Sequence, residues 1–269
     1  MSGKIIGVIA IKGGVGKTTV VSNLAAALAR QGKKVLAIDA NFSAPNLGLH
    51  LGIVNKEKTV HEVIAGKIDA SEAIYQSEAG FDIMPARLMP IKIEPLRLKR
   101  KISSLKNIYD FIIIDSSPSL NEEMAATMAA SDELIVVSSP DYPTLSCTMR
   151  AIKVAKEKKV PITGLILNRV RNKKYELTLE EIEEASEVPV IGLMPEEEKV
   201  LESVSETKPV VIFAPRKEVS VEYNKLAAAI TGQKYKDMRL WSSIRNFLFA
   251  DNFTKVDVNR TMLMENKKG

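Results

Sequence analysis

Short apolar runs alternate along the chain with longer stretches in which apolar residues recur every three or four positions. The short runs, such as Ile-Ile-Ile at 112–114, lack the polar alternation of a half-exposed strand and predict strands buried on both faces. We predict strands at residues 4–11, 33–39, 81–86, 110–115, 133–139, 162–168, 188–194 and 209–213. The longer stretches predict helices at residues 17–31, 91–106, 120–130, 144–158, 178–186, 197–206 and 218–231.

The regular alternation of strand and helix also predicts the fold class. It is typical of an α/β fold in which a doubly wound, mainly parallel sheet, here of about eight strands, carries helices on both faces. The chain has 269 residues, 45% of them hydrophobic, and parallel α/β domains of this length commonly form one core. We therefore expect one domain at residues 1–232 and a tail at residues 233–269, where the alternation stops.

Positive charge is concentrated in that tail. The formal net charge of the chain is +5, and the tail holds eight lysines and arginines against four acidic residues. The nearly neutral remainder disfavours a dedicated nucleic-acid-binding protein. Residues 237–249 predict an amphipathic helix with Leu240, Trp241, Ile244, Phe247 and Leu248 on its apolar face. Such a helix suits a membrane interface, and packing on the domain or on a partner is the alternative.

Other signals restrict location and chemistry. No apolar run reaches the roughly 18 residues of a membrane span, and the first residues run into a strand without a cleavage site, so we expect a cytoplasmic protein. The single cysteine, Cys147, excludes a disulfide framework and a CxxC metal site. The isolated His50 and His61 are expected to be structural.

Residues 12–19 (Lys-Gly-Gly-Val-Gly-Lys-Thr-Thr) form the strongest chemical motif of the chain. They lie between a predicted buried strand and a predicted helix, where glycines let backbone N–H groups point at a phosphate and the helix dipole favours the anion. Lys17 would add a charge and Thr18 a hydroxyl for Mg²⁺, although Ile11 replaces the first glycine of the general pattern. The predicted phosphate-binding residues are Gly13, Gly14, Val15, Gly16, Lys17, Thr18 and Thr19.

Two further polar residues end predicted strands. Asp115 follows a buried apolar run, and a carboxylate at the carboxyl edge of a parallel sheet can hold a magnesium-bound water. Asn168 can offer both a donor and an acceptor to adenine. The sequence lacks the Asn-Lys-x-Asp pattern expected for guanine, so ATP is favoured over GTP.

These motifs resemble the MinD/ParA family of P-loop ATPases, and the resemblance extends to about residue 231. Residues 12–19 are similar to its deviant Walker A motif, in which an additional lysine, here Lys12, precedes the usual one. Other segments resemble switch I (37–41 and 46–52), Walker B with switch II (112–118), and two adenine-cradling stretches (164–169 and 192–196). The resemblance thereby implies nucleotide contacts from Asn168, Arg169, Pro195 and Glu196.

The resemblance also implies a role for the additional lysine. Lys12 would reach across a two-fold sandwich dimer onto the phosphates bound by the other subunit, as an arginine finger does. ATP would then hold two subunits together, and hydrolysis would release them. The alternative for Lys12 is a solvated loop residue.

Switch I departs from the family pattern at one position. The family places two acids here as Asp-x-Asp, whereas this chain has Asp39 and Asn41. Asparagine can orient a water but accepts no proton, and phosphoryl transfer depends more on positioning and charge than on a strong base, so we expect slow hydrolysis. A switch without hydrolysis is the alternative. The predicted catalytic residues are Lys12, Lys17, Asp39 and Asn41, and the predicted Mg²⁺ residues are Thr18, Asp39 and Asp115.

The resulting hypothesis is a cytoplasmic, Mg²⁺-dependent MinD-like ATPase. It would regulate positioning at the cell division site or cell envelope as an ATP-bound homodimer, with an activating protein partner and peripheral membrane attachment through the tail helix. The alternatives are a ParA-type DNA partition ATPase and an ATP-driven factor for metal or cluster insertion. DNA is the less expected partner, although residues 91–106 carry a basic helix face, and the lack of a cysteine pair disfavours metal insertion.

Overall fold

The computed structural model describes residues 2–89, 91–235 and 255–267. These residues form one eight-stranded sheet: β1 (Lys4–Ile9), β2 (Val35–Ala40), β3 (Tyr75–Gln76), β4 (Asp82–Met84), β5 (Phe111–Ser116), β6 (Glu133–Ser138), β7 (Ile162–Val170) and β8 (Val190–Pro195). The spatial order is β3-β4-β2-β5-β1-β6-β7-β8, and every neighbouring pair is parallel except β3 and β4. The predicted mainly parallel α/β fold is confirmed.

Helices cover both faces of this sheet. They are α1 (Lys17–Arg30), α2 (Leu47–His50), α3 (Val60–Ala65), α4 (Leu98–Ile102), α5 (Glu122–Ala130), α6 (Tyr142–Glu157), α7 (Leu179–Ser186), α8 (Glu198–Ser205), α9 (Val210–Phe213), α10 (Glu218–Ile230) and α11 (Lys255–Asn266). Short 3₁₀ helices lie at Ala70–Ala73, Pro95–Arg97 and Ser103–Asn107. Ile113 of β5 packs with α1 and α10, whereas its neighbours Ile112 and Ile114 pack with α4 and α5 on the opposite face. Within the described ranges, no helix is both long and apolar enough for a membrane crossing.

One predicted strand is wrong. Residues 209–213 do not extend the sheet, because Val210–Phe213 form the short helix α9. Val210 and Val211 are buried beside α1, and the backbone N–H of Val211 donates to the side chain of Asn23 on that helix. This apolar run therefore fills a contact between helices. The eighth strand is instead the two-residue β3, which pairs antiparallel with β4.

The predicted helix at 91–106 is interrupted into a 3₁₀ turn, α4 and a second 3₁₀ segment. The second segment begins where the hydroxyl of Ser103 donates to the carbonyl of Arg100, a local bond that competes with a continued α-helix. Three apolar side chains of this interrupted segment are nevertheless buried, namely Leu98, Ile102 and Leu105.

Helix α11, which the sequence analysis did not predict, packs against β8 and α10. Arg260 is buried and donates from Nε to the Ile191 carbonyl and from Nη2 to the Glu222 carboxylate, both at 2.8 Å. Asn259 donates to the Val190 carbonyl at 2.9 Å. These contacts satisfy backbone acceptors of the edge strand β8. The predicted amphipathic helix at 237–249 lies outside the described residues, and the domain boundary at residue 232 stays a prediction.

We expect Arg260→Ala to lower the free energy of unfolding by about 3 kcal/mol, because it leaves the Ile191 carbonyl unpaired and removes a buried partner of Glu222. Urea denaturation would show a lower midpoint at an unchanged slope. Met262→Ala is the matched control, since Met262 is exposed on the same helix. An unchanged midpoint for Arg260→Ala would mean that α11 contributes little to stability.

Candidate functional site

The phosphate loop connects the end of β1 to the start of α1. Gly14 and Gly16 have φ angles of 79° and 90°, in the left-handed region that favours glycine. A Cβ at Gly16 would overlap the side-chain amide of Asn168, whereas a Cβ at Gly13 or Gly14 would meet no atom within 4 Å. The loop is therefore closely packed at its end and open on the side of its first two glycines.

The first turn of α1 is suited to an anion. Gly16 is the N-cap residue, and no side chain in the described part of the chain caps this helix end. Free N–H groups at a helix N-terminus, together with the helix dipole, attract a phosphate. Lys17 begins the helix and is buried there. Loop and helix start thus fit the phosphates of a nucleotide.

A buried carboxylate contacts both side chains that follow the loop. Asp115 lies at the end of β5, which neighbours β1, and is fully buried. Its Oδ1 forms an ion pair with Lys17 Nζ, and its Oδ2 accepts a hydrogen bond from Thr18 Oγ1 at 2.7 Å. A carboxylate beside a hydroxyl suits Mg²⁺, which takes few protein oxygens and keeps several waters.

Asp39 lies next to Asp115, because the two residues pair in register across β2 and β5. It is fully buried, and its carboxylate accepts from the backbone N–H groups of Asn41 (3.1 Å), Asn46 (3.0 Å) and Leu47 (2.9 Å). The last two bonds hold the start of α2. Burial, and secondly the charge of Asp115, raise the pKa of Asp39 to about 7. Asp39 therefore organises switch I in this structure.

Switch I also contacts the helix after switch II. Asn41 is buried, and its side-chain amide donates to the carbonyl of Ala44 in the same loop. The hydroxyl of Ser43 donates to Oε1 of Glu123 in the first turn of α5. Sequence reasoning missed Glu123, because an acid in the first turn of a helix is already expected from the helix dipole.

Lys12 is turned towards its own chain. Its Nζ donates to Thr144 Oγ1 at 2.8 Å and lies 3.5 Å from Asp141 Oδ1. Both partners, which the sequence analysis did not identify, are at the start of α6, where Asp141 is the N-cap residue. The Lys12 side chain is 44% exposed, whereas that of Lys17 is 8% exposed. The motif therefore has one surface lysine and one buried lysine.

The residues predicted to contact adenine lie at the ends of β7 and β8. Asn168 is buried and donates from Nδ2 to the Val15 carbonyl at 2.7 Å, so it fastens the phosphate loop in this structure. Glu196 follows β8 and forms an ion pair with Arg171, whose Nη2 lies 2.8 Å from its Oε1. A cleft of about 530 Å³ opens beside this pair, next to the start of α10.

The predicted residues thus gather at the edge of the sheet where the parallel strands end. β1, β2 and β5 bring together the loop, Asp39 and Asp115, while β7 and β8 bring Asn168 and Pro195. Lys12 stands apart, at the border with α6. The carboxyl edge of an open α/β sheet is the usual position of a ligand site.

Comparisons with known proteins agree with this geometry. A family model described as an AAA domain matches residues 3–162, and one for 4Fe-4S iron sulfur cluster binding proteins of the NifH/frxC family matches residues 120–240. Such clusters are held by several cysteine thiolates, and this chain has one cysteine. An uncharacterized ATP-binding protein of Methanocaldococcus jannaschii is 36% identical, over 84% of this chain and 86% of its own.

Septum site-determining protein MinD of Synechocystis is 30% identical, over 86% of this chain and 90% of its own. The cell division ATPase MinD of Pyrococcus furiosus superposes with a TM-score of 0.80 at 34% identity, covering 84% of this chain and 97% of that one. MinD of Pyrococcus horikoshii, solved with Mg-ADP, gives a TM-score of 0.79 at 35% identity, covering 83% and 94%. From its motifs, its sheet topology and these relatives, the chain belongs to the MinD/ParA family of P-loop ATPases.

Proposed function

We propose that the protein binds Mg²⁺ and ATP at the carboxyl edge of the sheet, hydrolyses ATP slowly, and forms a homodimer while ATP is bound. It would act as a spatial regulator at the cell division site or the cell envelope. The observation that carries this proposal is the separation of the two loop lysines: Lys17 is buried on Asp115, and Lys12 lies at the surface. The charge of Lys17 would act on the nucleotide of its own subunit, whereas the charge of Lys12 is accessible to a second subunit.

Nucleotide binding would change the partners of Asp115. The backbone N–H groups of residues 13–19 would hold the phosphates, and the Lys17 ammonium would exchange Asp115 for phosphate oxygens. Thr18 and Asp115 would then face Mg²⁺, which when bound supplies positive charge at the β- and γ-phosphates. The proposed nucleoside contacts are Asn168, Arg169, Pro195 and Glu196.

Slow hydrolysis is proposed from the composition of switch I. The side chain of Asn41 can orient an attacking water but does not take its proton. Asp39 is already engaged by three backbone N–H groups, so it would hold the loop on the Mg²⁺ side of the site. Because the transition state of phosphoryl transfer is loose, positioning and charge can still accelerate the reaction.

Dimer formation would require Lys12 to leave its own subunit. An ion pair this exposed contributes at most about 1 kcal/mol, so the phosphates of a facing subunit could compete for the lysine. The positive charge of Lys12 would then reach the transition state of hydrolysis in the facing subunit only when two ATP-loaded subunits meet.

We expect Lys12→Ala to bind ATP within about threefold of wild type and to stay monomeric with Mg²⁺ and ATP, because the substitution spares Lys17 and the buried cluster. Light scattering after gel filtration, with and without a non-hydrolysable ATP analogue, measures the mass, and calorimetry measures the affinity. Lys99→Ala is the control, since Lys99 is exposed on α4. Retained dimerisation of Lys12→Ala would contradict the cross-subunit role.

The cellular role can be tested by co-sedimentation with anionic vesicles and with DNA, each with and without ATP. Vesicle binding that requires ATP and residues 237–249 would support a membrane-associated regulator. Salt-sensitive, ATP-dependent retention on DNA would support the ParA-type alternative. A metal or cluster insertion factor is disfavoured by the single cysteine.

A further inference from the structure

Glu123 is a buried acid outside the cluster around Asp115. It lies in the first turn of α5 and is 7% exposed. Its Oε1 accepts the hydrogen bond of Ser43, which is 80 positions away in the chain. Its Oε2 is buried and has no hydrogen-bond partner among the residues that the structure describes.

A buried carboxylate oxygen without a partner is unfavourable and indicates either a bound water or a functional arrangement. The dipole of α5 favours a negative charge in this turn, but the neighbouring Glu122 provides that interaction while remaining exposed to solvent. Helix capping therefore does not explain why Glu123 is buried with one oxygen free.

Glu123 connects helix α5, which follows switch II, with the loop of switch I. Asp39 and Asp115 pair in register, as do the next residues of β2 and β5, so switch I and switch II leave the sheet side by side. Glu123, in the first turn of α5 after switch II, accepts a hydrogen bond from Ser43 in the loop of switch I. That loop carries Asn41, whose amide group is directed to the Ala44 carbonyl.

We propose that Glu123 is a positioning residue for ATP hydrolysis, which ties the loop of Asn41 to helix α5 after switch II through Ser43 and accepts a hydrogen bond from a water at its free oxygen. This inference rests on the proposed ATPase function. Switch I lacks its second acid, and a carboxylate is the stronger and more versatile acceptor for a water. Glu123 supplies that carboxylate from the helix that follows switch II.

The test compares Glu123→Gln, Ser43→Ala and the double variant with wild type. Single-turnover hydrolysis should fall about tenfold in each single variant, the double variant should fall no further, and ATP affinity should change less than twofold. Ser43 is exposed, so its variant is expected to fold. Glu122→Gln, one residue away and exposed, is the matched control and should keep the wild-type rate.

Hydrogen exchange of the nucleotide-free protein provides a second measurement. Ser43→Ala should speed exchange of the Asn46 and Leu47 amides, which Asp39 holds in the same loop. Glu123→Gln should speed it less, because its amide oxygen can still accept from Ser43. Unchanged exchange together with an unchanged rate would overturn the inference, as would additive losses or a parallel loss of ATP affinity. If wild type hydrolyses no more ATP than Lys17→Ala, the result contradicts the proposed ATPase function and not the role of Glu123. Hydrogen exchange of the Asn46 and Leu47 amides then tests by itself whether Glu123 holds the loop of switch I.

Discussion

Lys17→Ala is expected to lower the affinity for Mg²⁺ and ATP by about 100-fold or more. The ammonium group of Lys17 is buried at the start of α1, in contact with Asp115 and beside the glycine loop. Removing a buried charge that binds phosphate commonly costs about 3 kcal/mol or more, and every 1.4 kcal/mol is about tenfold in affinity. Isothermal titration calorimetry measures the loss directly.

The same substitution also changes the apoprotein. Asp115 would keep only Thr18 of its two loop partners, and it lies beside the buried Asp39. Thermal unfolding should therefore accompany the titration, so that an unfolded variant is not taken for a folded one that cannot bind. Lys12→Ala is the informative comparison, because it removes a lysine from the same motif without touching Asp115. Equal losses of affinity in the two variants would contradict the separation of their roles.

The buried strands could be predicted because a strand that is covered on both faces is apolar at consecutive positions of the sequence. Ile112, Ile113 and Ile114 are apolar without alternation, and all three are fully buried. The error at Val210–Phe213 has the same origin, since a run of four apolar residues has the pattern of a buried strand and of one buried helical turn alike. Helix α11 left no such signal, because it is held by long-range polar contacts of Asn259 and Arg260 and by the isolated buried side chain of Val256 rather than by a continuous apolar stripe.

The candidate site also contains both features that a local sequence pattern predicts and contacts that only the folded chain reveals. That the loop and Asp115 lie together could be predicted, because residue type, spacing and position at the ends of predicted strands are visible in the sequence. The contacts of Lys12 with Thr144, of Ser43 with Glu123 and of Asn168 with Val15 join residues 132, 80 and 153 positions apart. No local pattern reports such distances, so only the folded chain shows that Lys12 has a partner within its own subunit.

Asp39→Asn is expected to stabilise the nucleotide-free protein at pH 8 by about 3 kcal/mol, because the loss of a buried charge outweighs the loss of one hydrogen bond. The pKa of Asp39 is raised from 3.8 to about 7, first by burial and then by the charge of Asp115, and each pKa unit corresponds to about 1.36 kcal/mol. Asparagine carries no charge and keeps one oxygen for the N–H groups of Asn46 and Leu47. Its amide nitrogen replaces the oxygen that accepts from the Asn41 N–H, and this loss offsets roughly 1 to 2 kcal/mol of the gain.

The pH dependence distinguishes this charge effect from a change in packing. The folded protein binds the proton of Asp39 more tightly than the unfolded chain does. The stabilisation that protonated Asp39 provides is therefore complete below about pH 4 and is lost as the pH rises through about 7. The stability of Asp39→Asn relative to wild type should therefore be lowest near pH 4, rise to about pH 7 and then stay constant. Urea denaturation in EDTA measures it, and Asp69→Asn, at an exposed helix-capping aspartate, is the control.

An advantage that is equal at pH 4.5 and pH 8, or absent at pH 8, would show that the charge of Asp39 does not destabilise the fold. If Asp39→Asn is more stable than wild type at pH 8, the next measurement is Mg²⁺-dependent ATP binding by this variant. A cation placed between Asp39 and Asp115 would relieve their repulsion, so the carboxylate that destabilises the free protein should strengthen Mg²⁺ binding. Asp39→Asn should then be more stable without ligand and weaker in Mg²⁺-dependent binding, since both effects come from one buried charge.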